Sequence, residues 1–218
     1  MRLIRDNSLT IVLMLLFAGS ITGHWIAGWH VATEDAVRHG QAALSLASYT
    51  TSPEFLSSVF ENWESEFLQM SAYVVLTAIL FQRGSSESKD PDAPPRDRDL
   101  AAQGLKSGAP AALRAGRLAR ALYARSLGIA LALLFIMSFV LHWTQSAKAA
   151  ADEAIEHGEA APTLIAYLGS PQLWFESFQN WQSEFLSTAV LVLLSVFLRQ
   201  RESPESKPVA APHAQTGE

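Results

Sequence analysis

The chain has 218 residues, no cysteine and a formal net charge of −5. Without cysteine there is no disulfide framework and no thiolate metal site, and the net charge, a sum over a basic and an acidic face, says little about nucleic-acid binding. Charged residues make up only 17% against 49% hydrophobic, below the roughly 25% usual in soluble domains, and the apolar residues are gathered into blocks.

Ser8–Gly23, Phe67–Phe81, Ser126–Leu141 and Phe185–Leu198 contain no Asp, Glu, Lys or Arg. With their flanks, each approaches the ~20 residues that a bilayer-crossing helix needs. The expected fold is all-α: four transmembrane helices as two tandem helical hairpins, joined outside the cytoplasm by helical connections. Residues 1–20 also read as a signal peptide, with Arg2 and Arg5 before an apolar run and Ala18-Gly19-Ser20 after it. The duplication described below argues that this segment is retained.

A shift of 118 residues superimposes 1–89 on 119–207 without a gap, and 28 of the 66 pairs from His24–Lys89 onto His142–Lys207 are identical. One unit copied in tandem predicts two similar bodies about a pseudo-twofold axis. The expected organisation is a first two-span repeat over 1–89, a flexible cytoplasmic linker over 90–118, a second two-span repeat over 119–207 and a disordered tail over 208–218.

Within each repeat the first helix is expected to break at His39-Gly40 and His157-Gly158, where glycine suits a helix C-cap. The chain restarts at Ser52-Pro53 and Ser170-Pro171, a hydroxyl N-cap followed by proline at the first helical position. From there the helix is expected to run unbroken into the second span. All six tryptophans fall in these connections and read mainly as an aromatic belt at the headgroups. The linker is rich in Ser, Asp, Pro and Arg, and Ala111–Arg125 carries arginines with helical propensity just before the third span.

Of 16 Lys and Arg, 14 lie in the N-terminus, the central connection and the tail; only Arg38 and Lys148 fall in the hairpin connections. The positive-inside rule then predicts a plasma (bacterial inner) membrane protein with both termini and the linker cytoplasmic.

Candidate chemistry sits at one depth. His24 lies 18 residues beyond Asp6 and Glu66 lies 17 before Arg83, with His142 and Glu184 at matching places, so each side chain stands about 25 Å from the inner boundary. His24–Glu66 and His142–Glu184 are candidate intramembrane pairs for proton relay or cation binding, and Asn62 and Asn180, one turn before each Glu, complete the polar cluster. The bland reading is wet interfacial carboxylates beside helix-terminal histidines. Asp35–His39 and Glu153–His157 are weaker i, i+4 pairs, better read as surface salt bridges than as metal ligands. Glu61 and Glu64 become Gln179 and Gln182 in the second copy, so any site built on them is asymmetric. No nucleophile elbow, phosphate loop, zinc-peptidase or dinucleotide motif occurs, so no enzyme is predicted and no cofactor is required. The expected partners are the lipid bilayer and a second copy or another membrane protein, not nucleic acid. The sequence favours conductance or transport of a proton, cation or small solute, with a non-catalytic scaffold as the alternative.

The repeated pattern His24-Trp25, His39-Gly40, Ser52-Pro53, Asn62-Trp63-Glu64-Ser65-Glu66-Phe67-Leu68, Gln82-Arg83 and Glu87-Ser88-Lys89 resembles an uncharacterised family of small bacterial integral membrane proteins. The resemblance implies a bacterial inner-membrane protein of unknown function and transfers no activity.

Overall fold

The computed structural model describes residues 2–217. Met1 and Glu218, whose side of the membrane the charge pattern predicts, lie outside the described residues. Helices and turns account for all regular structure among those residues, with no strand. Four helices are long: α2 (Ser8–Arg38), α4 (Pro53–Ile79), α7 (Ser126–Glu156) and α9 (Pro171–Phe197). α7 and α9 start and end 118 residues after α2 and α4. The remainder is short: α1 (Arg2–Asp6), α3 (Leu46–Thr50), α5 (Leu100–Gln103), one 3₁₀ turn (Ala111–Leu113), α6 (Arg117–Tyr123) and α8 (Leu164–Tyr167).

Two of the four long helices, α2 and α7, are long and apolar enough to cross a membrane. α2 leaves Leu13, Leu15 and Leu16 more than half exposed and buries none of its most apolar stretch. Burial inside the protein therefore does not explain its composition. α4 and α9 do not meet the same criterion. α4 carries Glu54, Glu61, Glu64 and Glu66 in its first half, so only its last 13 residues are free of charge, fewer than the ~20 a span requires.

The expected breaks occur, and backbone chemistry explains them. After α2, Gly40 takes φ +75°, Gly40 N donates to Val37 O and Gln41 N to Ala36 O. After α7, Gly158 takes φ +70°, with Gly158 N on Ile155 O and Glu159 N on Ala154 O. These are paired Schellman stops, which need the left-handed conformation that glycine adopts without strain. The restarts are also as expected: Ser52 Oγ accepts from Phe55 N at 3.2 Å and Ser170 Oγ from Gln172 N at 3.2 Å, each followed by proline.

The chain divides into two compact units, Met1–Val59 with Leu141–Leu168, and Phe60–Val140 with Gly169–Glu218. In the first, short helices that the sequence pattern did not predict are clamped by tryptophan. Trp25 Nε1 donates to Thr50 Oγ1 at 2.9 Å and Trp29 Nε1 to Leu44 O at 2.8 Å; Trp143 Nε1 donates to Leu164 O at 3.0 Å. These three indoles are structural ties and not simply a headgroup belt. Tyr49 and Tyr167, in the same short helices, are buried. Gly28 leaves space for the Tyr49 hydroxyl, which lies 2.1 Å from where a Cβ would stand, whereas the matching Ser146 Oγ hydrogen-bonds Tyr167 OH at 3.1 Å.

In the second unit, Trp174, Phe178 and Trp181 form an aromatic cluster on α9, and α7 adds Phe135 and Phe139 at 6.3 Å from Trp181 and 6.1 Å from Trp174. The tail differs from the disordered segment that composition predicts: turns at 208–217 are tied down by the buried Lys207, whose Nζ donates to Gly84 O, to His213 O at 3.0 Å and to Gln215 O at 2.9 Å. Gly84 N donates to Thr216 Oγ1 at 2.9 Å and Gly217 N to Ser85 O at 2.9 Å. A buried ammonium is expensive unless its three protons find acceptors, and the folded tail supplies them as carbonyls. Burial, with Arg199 nearby, holds Lys207 below the usual lysine range.

Candidate functional site: a polar seam along two helices

Positions 61, 65, 69, 73 and 77 of α4 are Glu, Ser, Gln, Tyr and Thr, a polar stripe one turn apart on a helix whose other faces are largely apolar. It meets a second stripe on α9. Glu61 Oε1 accepts from Asn180 Nδ2, and the same amide donates to Glu176 O at 3.2 Å. Glu64, fully buried, accepts from Trp181 Nε1 at 2.9 Å. One turn deeper, Gln69 Nε2 donates to Thr188 Oγ1 and to Glu184 O. Tyr73 OH then donates to Glu87 Oε2, in the turn that follows α4. From Glu61 to Tyr73 the seam covers 12 residues, about 18 Å of helix.

Two of its acids are close: a carboxylate oxygen of Glu61 lies within 4.8 Å of one of Glu176, and both side chains are half-buried. Like charges at that separation in a medium of low polarity favour sharing a proton or a cation. Two further hydroxyls, Ser138 on α7 and Ser177 one turn before Trp181, are buried without a hydrogen-bond partner among the described residues.

At the lower end, burial pushes the Glu87 carboxyl above its ordinary range, the Tyr73 hydroxyl draws it back, and Glu205 raises it again by charge and by a hydrogen bond. Glu205 is the counterpart of Glu87 in the second half of the chain.

The seam and the six residues singled out from the sequence overlap only in part. Asn180 and the Glu184 backbone belong to it. Glu66 and Asn62 are exposed, because Glu66 stands two residues, or about 200° of helix, from the buried Glu64. His24 is half-buried, with Nε2 3.1 Å from Ser58 Oγ and its ring 5.4 Å from Phe55. His142 is fully buried. The weaker pairs fold back on themselves: His39 Nδ1 lies 3.0 Å from Asp35 O and His157 Nδ1 2.9 Å from Glu153 O. That carbonyl, with the acids around it, raises the His157 imidazole. Partial burial pushes Glu54 up, and the charges of Glu156, Asp35, Asp152 and Glu153 add to it. Glu61, Glu64, Glu176, Gln69 and Tyr73 were missed as site residues. The i, i+4 stripe of polar residues on α4 is the signal that finds Glu61, Gln69 and Tyr73, whereas Glu64 lies off that stripe and Glu176 is on α9.

The whole chain, residues 1–218, matches the family model described as Domain of unknown function (DUF6766), and the chain belongs to that family. No curated protein matches it, and no solved structure does.

Proposed function

We propose that this is a bacterial inner-membrane protein of four spans, built as two tandem hairpin repeats with its linker on the cytoplasmic side, that passes protons or a small cation along the α4–α9 seam. The observation that carries the reading is the run of hydrogen-bonding side chains from the Glu61–Glu176 acid pair through Gln69 and Thr188 to Tyr73 and Glu87. Ionisable and hydrogen-bonding groups in membrane helices are costly, and they persist where they pair with one another or line a path. The exposed apolar length of α2 and the division of basic residues support the bilayer placement and its orientation. α4 and α9 are short of apolar length by themselves, and pairing their polar faces removes those faces from lipid.

The test is proton flux into liposomes holding the purified chain, driven by a potassium gradient with valinomycin. Glu61→Gln and Glu176→Gln should each lower flux at least tenfold, and Glu66→Gln should leave it unchanged. Wild-type protein without flux of protons, sodium or potassium would overturn the reading, as would an active Glu61→Gln. Cysteines introduced at Ala101 and Ser48 test the orientation: a membrane-impermeant reagent on intact cells should label Ser48 only.

A scaffold role is the second reading. Val31, Val37, Ile155 and Ile165, on or next to the helical connections, are all more than half exposed, a surface that a protein partner would cover.

A further inference from the structure

Beside the lower half of the seam, α4, α9 and the turn after α4 enclose an apolar groove of about 250 Å³, walled by Leu76, Leu80, Phe81, Phe185, Ala189 and Val192. Tyr73, Thr77, Glu87 and Ser88 also line a second cavity of about 500 Å³. The contrast between the two is chemical. The second cavity is lined by Glu87 and Glu205 and by Lys89 and Arg96, two acids and two bases, of which Glu87 also lines the apolar groove. Lys89 Nζ donates to Ala78 O and stands 4.9 Å from the Phe81 ring, so its ammonium is held beside a wall of the apolar groove. The Arg96 guanidinium forms no ion pair among the described residues and is available to an incoming anion.

A ligand that satisfies both halves has a hydrocarbon chain and a head bearing one ammonium and one phosphate. We propose that the groove and cavity form a binding site for an aminophospholipid of the phosphatidylethanolamine type. Its acyl chain fills the slot, its phosphate meets Lys89 and Arg96, and its primary ammonium donates to the Glu87 and Glu205 carboxyls. Primary amine specificity follows from hydrogen bonding: an ammonium has three N–H donors for two carboxyls, whereas a trimethylammonium has none. A purely anionic head brings its second negative or neutral end against the acid pair. Glu87 also ends the seam through Tyr73, so an occupied site changes the charge at that end. The proposal rests on the bilayer placement and is independent of whether the seam conducts.

The test uses the full chain, delipidated in neutral detergent, titrated with dihexanoyl phosphatidylethanolamine, phosphatidylcholine and phosphatidylglycerol and with soluble O-phosphoethanolamine, read by native mass spectrometry and by the shift of the unfolding midpoint. The phosphatidylethanolamine should bind at least tenfold more tightly than the other three. Arg96→Gln and Glu87→Gln should each weaken it about tenfold while the unliganded protein still unfolds cooperatively. Equal binding of all three lipids would overturn the site, as would equal binding of the chain-free head or indifference to Arg96→Gln. Liposome flux is measured separately, so loss of lipid selectivity and loss of conduction are distinguishable results.

Discussion

Gln82–Lys89 and Gln200–Lys207 share the letters Gln-Arg, Ser, and Glu-Ser-Lys at the same spacing, and they fold alike. Gln82 N donates to Ser88 Oγ at 2.8 Å and Gln200 N to Ser206 Oγ at 2.9 Å. Ser85 and Ser203 accept from Glu87 N and Glu205 N at 3.1 and 3.2 Å. The final lysines then part company. Lys89 turns back to the end of its own helix at Ala78 O, whereas Lys207 is buried in a cage of carbonyls from Gly84 and the tail. Short-range hydrogen bonding is thus dictated by the motif, while the fate of a long flexible side chain is decided by whatever the fold brings to it.

That contrast can be broken most forcefully at the lysines. Lys207→Ala removes a charged donor and strands several buried acceptors, so it should cost about 3 kcal/mol, release the tail and expose it to limited proteolysis after residue 207. Lys89→Ala should cost no more than about 1 kcal/mol, since its carbonyl partner lies at a helix end open to water. Equal losses in denaturant unfolding would mean that the cage has no special weight.

The shared part of the comparison is sharpened by the serines. Ser88→Ala and Ser206→Ala each delete one side-chain acceptor of a backbone N–H, and each should cost about 1 kcal/mol. A difference larger than the error of the two unfolding curves would show that the turns are not energetically equivalent.

A smaller effect is expected from pH. Glu87 has its folded carboxyl raised, mainly by burial, so the native state holds a proton that the unfolded chain has released. Its contribution to stability is present below the ordinary value of 4.5 and is lost as pH rises through the folded value. Glu87→Gln should flatten that slope in midpoints measured from pH 4 upward, and an unchanged slope would assign it to another group. Least of all is expected at Asp92, whose bidentate pair with Arg83 is mostly solvent-exposed; Asp92→Asn should leave the melting curve where it is.

The sequence declared the features each half needs for itself. Gly40 and Gly158, Ser52-Pro53 and Ser170-Pro171 recur because a helix stop and a helix start are local chemistry, and their positions were legible to the residue. The short helices α3 and α8 escaped notice although Ser45 and Thr163 cap them, since so few residues carry no periodic pattern. The seam escaped for a different reason. Matching one half to the other favours what is identical, such as His24 and Glu66, while Glu61, Glu64 and Tyr73 face Asn180, Trp181 and Glu87 and have Gln179, Gln182 and Leu191 as their counterparts. The useful residues of the seam are therefore the unlike ones. The folded tail was illegible because its order depends on Gly84, more than a hundred residues away in the chain.

Gly28 and Ser146 carry this asymmetry into a single contact. Ser146→Gly removes the hydroxyl that meets Tyr167 OH, whereas a Cβ added at Gly28 would stand 2.1 Å from the Tyr49 hydroxyl, so that the ring has to move before any side chain fits. The same tyrosine of the repeat is therefore seated in two ways: against bare backbone at Gly28, and against a hydroxyl at Ser146.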